Sequence, residues 1–268
     1  MCATCGCAGD GAVVRLHDHE NGGDHGHGHD HGHAQPQVIA AGDARTVMLQ
    51  RKVLAKNDDI AAQTRQWLAG RGVFMLNLMS APGAGKTTLL ERTARALAGR
   101  ITVGVIEGDQ ETALDADRIN AAGCRVVQIN TGAGCHLDAE MVARGLTALD
   151  PEPGSAVVVE NVGNLVCPAL FDLGEARRVV LASVTEGADK PMKYPQMFRA
   201  ADLVLLTKVD LLPYVDFDPA AYAADLGRVN PSASLIALSA VAGDGLSAWY
   251  DWLSDAAAGR RPRRPGRG

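Results

Sequence analysis

Apolar residues follow two rhythms along most of this chain. From Val73 onward seven short runs, VFMLNLM, ITVGVIE, CRVVQIN, AVVVEN, RVVLASV, DLVLLTK and SLIALSA, have strand length and are rich in β-branched residues. Between them KTTLLERTARALAG, DAEMVARGLTALD and GLSAWYDWLSDAAAG space their apolar positions as one helical face requires. This alternation predicts an α/β fold, a doubly wound and mostly parallel sheet whose ligands sit at the C-terminal strand ends. Upstream, Leu49, Val53, Ile60 and Trp67 fall at spacings of four and seven, which predicts a leading helix with these residues on one face. Asp43 stands where a cap for that helix belongs.

The first 42 residues follow neither rhythm. Gly, Asp and His dominate there and apolar residues are scattered, which predicts a largely disordered extension with no core of its own. The expected division is residues 1–42 as this extension, 43–258 as one domain, and 259–268 as a basic Arg/Pro tail, GRRPRRPGRG. At 268 residues, 47% of them hydrophobic, the chain has material for one sizeable core plus extensions. No apolar run nears the roughly 18 residues of a membrane span, and the polar start lacks an apolar signal segment, so a cytoplasmic protein is expected. There, cysteine clusters point to metal or redox chemistry rather than to disulfides. A formal net charge of -5 argues against general nucleic-acid binding, and the Arg/Pro tail reads as a solvated end or, as the alternative, a contact for an acidic partner.

The run VFMLNLM leads into SAPGAGKTTLLERTARAL, giving strand, glycine-rich turn and helix in the order of a P-loop. Gly83, Ala84 and Gly85 let backbone N–H groups converge on phosphate oxygens at a helix start, Lys86 adds positive charge, and Thr87, followed by Thr88, offers a hydroxyl to Mg²⁺. Ser80 replaces the first glycine of the usual motif.

Further along, LLTKVDLL resembles the guanine-reading NKxD motif, with Thr207 in place of Asn and with Lys208 and Asp210 retained. An aspartate there accepts the N1 and N2 hydrogens of guanine, an arrangement adenine does not offer, while the lysine stem lies along the base. Ser239 and Ala240, after the next run, match the short loop that closes over the base. The preferred nucleotide is therefore GTP over ATP.

Two acids complete a hydrolytic set. Glu160 ends AVVVE before NVG and reads as the acid that holds Mg²⁺ through water, with Gly163 as a hinge for a loop that senses the γ-phosphate. Asp109 is placed to ligate Mg²⁺ or orient water, and Glu107 competes for that role. The catalytic set is Lys86, Thr87, Asp109 and Glu160. No glutamine or arginine stands out as a finger, so slow intrinsic turnover is expected.

Two regions offer metal ligands. The tail MCATCGC carries Cys2, Cys5 and Cys7, and HDHENGGDHGHGHDHGH holds seven of the eight histidines. Inside the domain Cys135 and His136 are adjacent and Cys167 follows Glu160 by seven residues; two thiolates and an imidazole suit Zn²⁺ or Ni²⁺ and leave a fourth place for water or another subunit. Cys124, at the start of a strand, reads as a buried structural residue.

Together MCATCGC, the His-rich run, SAPGAGKTTLL, GAGCHLDA, ENVGNLVCP, TEGADKPMKYPQMF and TKVDLLPY resemble the HypB family, the nickel-incorporation GTPases of NiFe-hydrogenase maturation. The resemblance covers about residue 43 to 256 and the N-terminal CxxCxC. It implies a SIMIBI-class GTPase that dimerises across its nucleotide face, uses GTP/GDP and Mg²⁺, binds Ni²⁺ and Zn²⁺, and works with a HypA-type nickel chaperone and the hydrogenase large subunit. It also implies a tight nickel site at Cys2, Cys5 and Cys7, where a free terminal amine completes a square-planar set. His25, His27, His29, His31 and His33 fit a nickel store, since neutral imidazoles bind reversibly at about pH 7. Thr207 and the length of the His tract depart from the family pattern. The function expected is a GTP-hydrolysing nickel metallochaperone whose nucleotide state is coupled to metal affinity and to homodimerisation, without nucleic acid or a membrane span. The alternative is a nickel store or buffer whose nucleotide site regulates assembly only.

Overall fold

Each of the seven apolar runs forms a strand: β1 (Phe74–Ser80), β2 (Val103–Asp109), β3 (Arg125–Asn130), β4 (Ala156–Glu160), β5 (Arg177–Ser183), β6 (Leu203–Thr207) and β7 (Ser234–Ala237). The structure is a computed structural model that describes residues 44–109, 114–132 and 134–260, with side chains described over 51–108, 116–132 and 134–260. Cys2, Cys5, Cys7, the histidine tract and the tail beyond residue 260 lie outside the described residues. By its contacts the chain divides into Met1–Val53, of which the opening of one helix is described, and Leu54–Gly268, which carries the sheet.

The strands pair in the order β3-β2-β4-β1-β5-β6-β7, all parallel. The helices are α1 (Ala44–Arg71), α2 (Lys86–Leu97), α3 (Leu114–Ala121), α4 (Ala139–Leu149), the short α5 (Lys190–Lys193) and α6 (Pro195–Arg199), α7 (Pro219–Val229) and α8 (Leu246–Ala257). On one sheet face Leu76, Leu78, Val105 and Val158 pack with Leu89 and Leu97 of α2 and with Trp249 and Leu253 of α8. On the other, Met75, Ile106 and Val157 meet Leu68 of α1 and Val142 and Leu146 of α4, while Val204 and Leu206 meet Phe198 of α6 and Tyr222 of α7. Burial on both faces explains why the central strands read as continuous apolar runs instead of alternating. This is a doubly wound parallel sheet. Among the described residues no helix is long and apolar enough to cross a membrane.

The leading helix forms as expected, yet a different face is buried. Asn57, Ala61, Thr64 and Leu68 are enclosed, whereas Trp67 is 41% exposed and Ile60 half-buried; the side chain of Leu49 lies outside the described residues. The reason is a close, partly polar contact. Asn57 donates to the carbonyl of Asp172 at 2.8 Å and accepts from the N–H of Ala139 at 2.9 Å. Gly174 lies so near α1 that a Cβ there would sit 2.7 Å from the Ala61 carbonyl oxygen. A face built from Asn, Ala and Thr is invisible to a count of apolar spacings.

β1 occupies the centre of the sheet, with β2 and β4 on one side and β5 on the other, so the chain turns outward in opposite directions around it. A crevice opens at the C-terminal strand ends of such a switch point. The glycine-rich turn after β1 lies there.

Candidate nucleotide and metal sites

The turn Ala81–Gly85 joins β1 to α2. Gly83 and Gly85 adopt φ of 74° and 98°, backbone conformations that side chains resist, and this lets successive N–H groups face one concavity at the start of α2. Ser80 is fully buried, and its hydroxyl accepts from Lys86 Nζ at 2.8 Å, so the serine that stands for glycine also steers the lysine across the loop. The concavity has a volume of about 530 Å³, with Gly83, Lys86, Thr87, Glu107, Glu160 and Gly163 in its wall.

Strand pairing assembles the acids. Glu160 of β4 lies in register with Glu107 of β2, and both are buried. The Thr87 hydroxyl donates to Glu160 Oε1 at 3.1 Å. A hydroxyl with neighbouring carboxylates in a phosphate-sized cavity is an all-oxygen donor set that fits Mg²⁺. Asp109 ends β2, but its side chain lies outside the described residues, and Glu107 is the acid of that strand in the cavity wall. A Cβ on Gly163 would approach Pro82 Cα to 3.0 Å, so the segment after Glu160 rests directly on the phosphate loop.

A second cavity, of about 300 Å³, shares Gly85, Thr88 and Lys208 with the first and adds Ala84, Thr207, Asp210, Ser239 and Ala240. Thr207 Oγ1 donates to the Ala84 carbonyl at 2.8 Å. Lys208 takes a left-handed conformation, φ 59°, as the chain leaves β6. Ser239 fixes its own loop, donating from N–H to the Asp244 carbonyl and accepting from the Ala242 N–H, both at 2.9 Å. The pair of cavities thus offers a charged end to phosphates and a narrower end, with Asp210 in its wall, to a base.

The metal-ligand set also comes together. Cys135 Sγ lies 3.0 Å from Cys167 Sγ and 3.6 Å from His136 Nδ1, and the potential ligand atoms of these residues all lie within 4.8 Å of one another. His136 stacks on Phe171 with ring centroids 4.0 Å apart. Burial pushes its imidazole below the usual range, against the opposing charge of Asp138, which favours the neutral form that ligates metal. Asp138 caps α4 by accepting from the Met141 N–H at 2.8 Å and so anchors the chain just after the ligands. Cys124 is buried in the core, and burial pushes its thiol up, as in an inert structural cysteine.

Several residues of this region escape a reading of sequence. Asn161 is 1% exposed and lines the phosphate cavity; its Oδ1 accepts from the N–H of Leu137 at 3.2 Å and of Val162 at 2.9 Å, and its Nδ2 donates to Asn77 at 3.2 Å. Asn164 donates to the Cys135 carbonyl at 3.2 Å. The two asparagines between Glu160 and Cys167 were the available signal. Arg118 of α3 is in the phosphate-cavity wall.

The parallel sheet, the glycine cradle and the paired cavities define the class: a P-loop nucleotide-binding domain. The chain belongs to the HypB hydrogenase maturation factors, within the family whose model, CobW/HypB/UreG nucleotide-binding domain, matches residues 74–237. It is 54% identical over 219 residues to the hydrogenase maturation factor HypB of Rhizobium leguminosarum bv. viciae, covering 82% of this chain and 73% of that one. With the factor HypB of Escherichia coli (strain K12) it shares 48% identity over 284 residues, 94% of this chain and 98% of the other, a match that reaches into the cysteine- and histidine-rich segment. The crystal structure of HypB from Helicobacter pylori in complex with nickel superposes with a TM-score of 0.73 at 36% identity, covering 79% of this chain and 99% of that one.

Proposed function

We propose that this protein is a GTP-hydrolysing nickel metallochaperone of hydrogenase maturation, in which the nucleotide sets how tightly Cys135, His136 and Cys167 hold Ni²⁺ or Zn²⁺. The observation that carries this reading is the Asn161 bridge, in which one side chain in the phosphate-cavity wall accepts from the N–H of Leu137, the neighbour of His136. Cys167 follows on the same segment, and Asn164 holds the Cys135 carbonyl from it. A γ-phosphate that repositions residues 160–163 therefore shifts Cys167 relative to Cys135 and His136, and thiolate sites respond to small changes of geometry.

The glycine-loop N–H groups and Lys86 bind the phosphates, and Thr207, Lys208, Asp210, Ser239 and Ala240 form the guanine end. Thr87 and Glu160, with Asp109 and Glu107 as further acids, hold Mg²⁺. Bound there, the ion neutralises charge on the transferred phosphoryl group. Residues 1–42 serve as the nickel-loading extension, with Cys2, Cys5 and Cys7 as a tight site and the histidines as a store. The protein works in the cytoplasm as a nucleotide-dependent homodimer, with a HypA-type chaperone and the hydrogenase large subunit as partners. The names of its relatives and the nickel-bound Helicobacter pylori neighbour support this reading.

The test is titration of Ni²⁺ and Zn²⁺ into the full chain with Cys2, Cys5 and Cys7 changed to Ser, first with GDP and then with a non-hydrolysable GTP analogue. The expected affinities differ by at least about fivefold, the lower end of ordinary coupling between sites. Equal affinities overturn the coupled reading in favour of a nickel buffer.

A further inference from the structure

We propose that Arg118 is a nucleotide contact, a guanidinium that clamps the α-phosphate end of the bound nucleotide. This rests on the reading of the two cavities as a nucleotide site.

Arg118 lies on α3, the first helix after β2, and lines the phosphate cavity together with Lys86 and Lys208. Its side chain reaches across to α2. Nε donates to Glu91 Oε1 at 3.1 Å and Nη2 to Glu91 Oε2 at 3.3 Å, a fork-to-fork pairing, and Nη2 also lies 3.5 Å from the Thr88 hydroxyl. Glu91 is one helical turn beyond Thr88, so the pair holds the guanidinium beside the N-terminal turn of α2, where the phosphate-binding backbone ends.

The position along the nucleotide follows from the lining. Thr88 belongs to both the phosphate cavity and the base cavity. In a nucleoside triphosphate the α-phosphate and ribose lie between the base and the outer phosphates, so the residues both cavities share, Gly85, Thr88 and Lys208, mark that junction, and of these Thr88 is the one the Arg118 guanidinium reaches. Lys86, Thr87 and Glu160 mark the opposite, outer end. Arg118 is thus placed for ground-state binding of diphosphate and triphosphate alike. A γ-phosphate finger would stand nearer Glu160.

The pair can be reached by solvent from the arginine side, with the Arg118 side chain 47% exposed and that of Glu91 17%. The two non-bridging oxygens of an α-phosphate present a geometry the guanidinium fork matches, and the N–H groups not engaged by Glu91 can donate to them when nucleotide binds. A lysine there retains the charge but loses the fork.

The experiment measures binding of fluorescent GDP and of a fluorescent non-hydrolysable GTP analogue to the full chain, with single-turnover hydrolysis of GTP, for the unaltered protein, Arg118→Ala, Arg118→Lys and Lys86→Ala. Arg118→Ala is expected to weaken both nucleotides by about tenfold, in line with loss of one charge-assisted hydrogen bond, with the single-turnover rate at saturation within about twofold of the unaltered protein. Arg118→Lys is expected to fall between, and thermal unfolding without nucleotide shows whether each variant is folded. If Arg118→Ala is unfolded, equal weakening of both nucleotides by Arg118→Lys carries the test. Unchanged affinities in a folded variant overturn the proposal. So does a loss confined to the GTP analogue or to the hydrolysis rate, which would make Arg118 a γ-phosphate group. If the unaltered protein binds neither nucleotide, or Lys86→Ala binds as well as it does, the nucleotide-site reading itself fails.

Discussion

Thr207 Oγ1 donates to the Ala84 carbonyl across 2.8 Å, so the end of β6 is tied to the glycine-rich loop between β1 and α2. The threonine is buried, 4% exposed, and a second carbonyl, that of Ala182 on β5, lies 3.4 Å from the same hydroxyl. The residue that departs from the NKxD pattern thus still joins the two halves of the cavity. Thr207→Val keeps the shape and removes the donor, leaving the Ala84 carbonyl without it. The expected loss is about 1–3 kcal/mol in unfolding free energy, read from urea titration, with weaker nucleotide binding. Thr207→Ser should keep most of both. Equal stability of the valine variant would show that this bond contributes nothing.

Asp210 is in the wall of the narrower cavity, the end left for a base once phosphates occupy the wider one. A carboxylate at this place can accept two guanine hydrogens, which the amide of Asp210→Asn cannot. The variant should lose about ten- to a hundredfold in GTP affinity, the range for hydrogen bonds to a charged group, and should shift its preference toward xanthosine triphosphate, whose C2 oxygen accepts from the new amide. Competition binding with GTP, ATP and xanthosine triphosphate checks both. Equal competition by ATP in the unaltered protein would refute guanine selection by this residue.

The parts legible in sequence are those whose chemistry is local. The P-loop is one short segment, and its glycines, lysine and threonines announce themselves without knowledge of the sheet. The Glu107 and Glu160 pairing is different, since it exists because β2 lies beside β4, an adjacency fixed by packing helices on both faces. Arg118 reaches Glu91 by the meeting of α3 and α2, and the Asn161 bridge depends on where the residue 137 loop crosses the end of β4. For α1 the apolar spacing gave the helix but misdirected its face, because a buried Asn57 with two backbone partners outweighs an exposed Trp67. Side chains chosen for hydrogen bonds to distant backbone leave no periodic trace.

Glu186 carries a pH dependence. It closes a capping box after β5, accepting from the Ser183 N–H at 3.2 Å, and pairs with Lys190 at 3.8 Å. Burial pushes its carboxyl above the ordinary range, although the Ser183 N–H and the charges of Lys190, Lys208 and Lys86 act the other way. A raised folded pKa means that the native state favours the protonated acid. That contribution is present below the unfolded value and is lost as pH rises through the folded one. Glu186→Gln keeps an acceptor for Ser183 and never ionises, so without nucleotide it should gain stability relative to the unaltered protein between about pH 4 and pH 7. Unfolding free energies of both proteins at the two pH values decide the matter, and a difference that moves the other way would mean that the lysines outweigh burial.

Cys167 joins the metal set from the segment that begins at Glu160, while Cys135 and His136 approach from the loop before α4. Its thiol lies 3.0 Å from that of Cys135, so its removal leaves at most two of the three candidate ligands and takes away the one that the nucleotide-facing segment itself contributes, while Asn161 and Asn164 still bond the chain at Leu137 and Cys135. Loss of an outer-shell partner costs a metal site about 10–100-fold, and loss of a ligand should exceed that, so Cys167→Ala is expected to weaken Ni²⁺ and Zn²⁺ at this site by more than about 100-fold. By linkage, metal must alter the preference for GTP over GDP by the same factor that nucleotide alters metal affinity. In Cys167→Ala both factors should fall toward one together, in the full chain with Cys2, Cys5 and Cys7 changed to Ser. With those cysteines intact, nickel binding by the N-terminal segment should be unaffected. Calorimetric titrations of each metal in the two nucleotide states, and of each nucleotide with and without metal, check the two sides of the linkage independently. A nucleotide-dependent metal affinity that persists without Cys167 would place the coupling in the Asn161 and Leu137 contact alone.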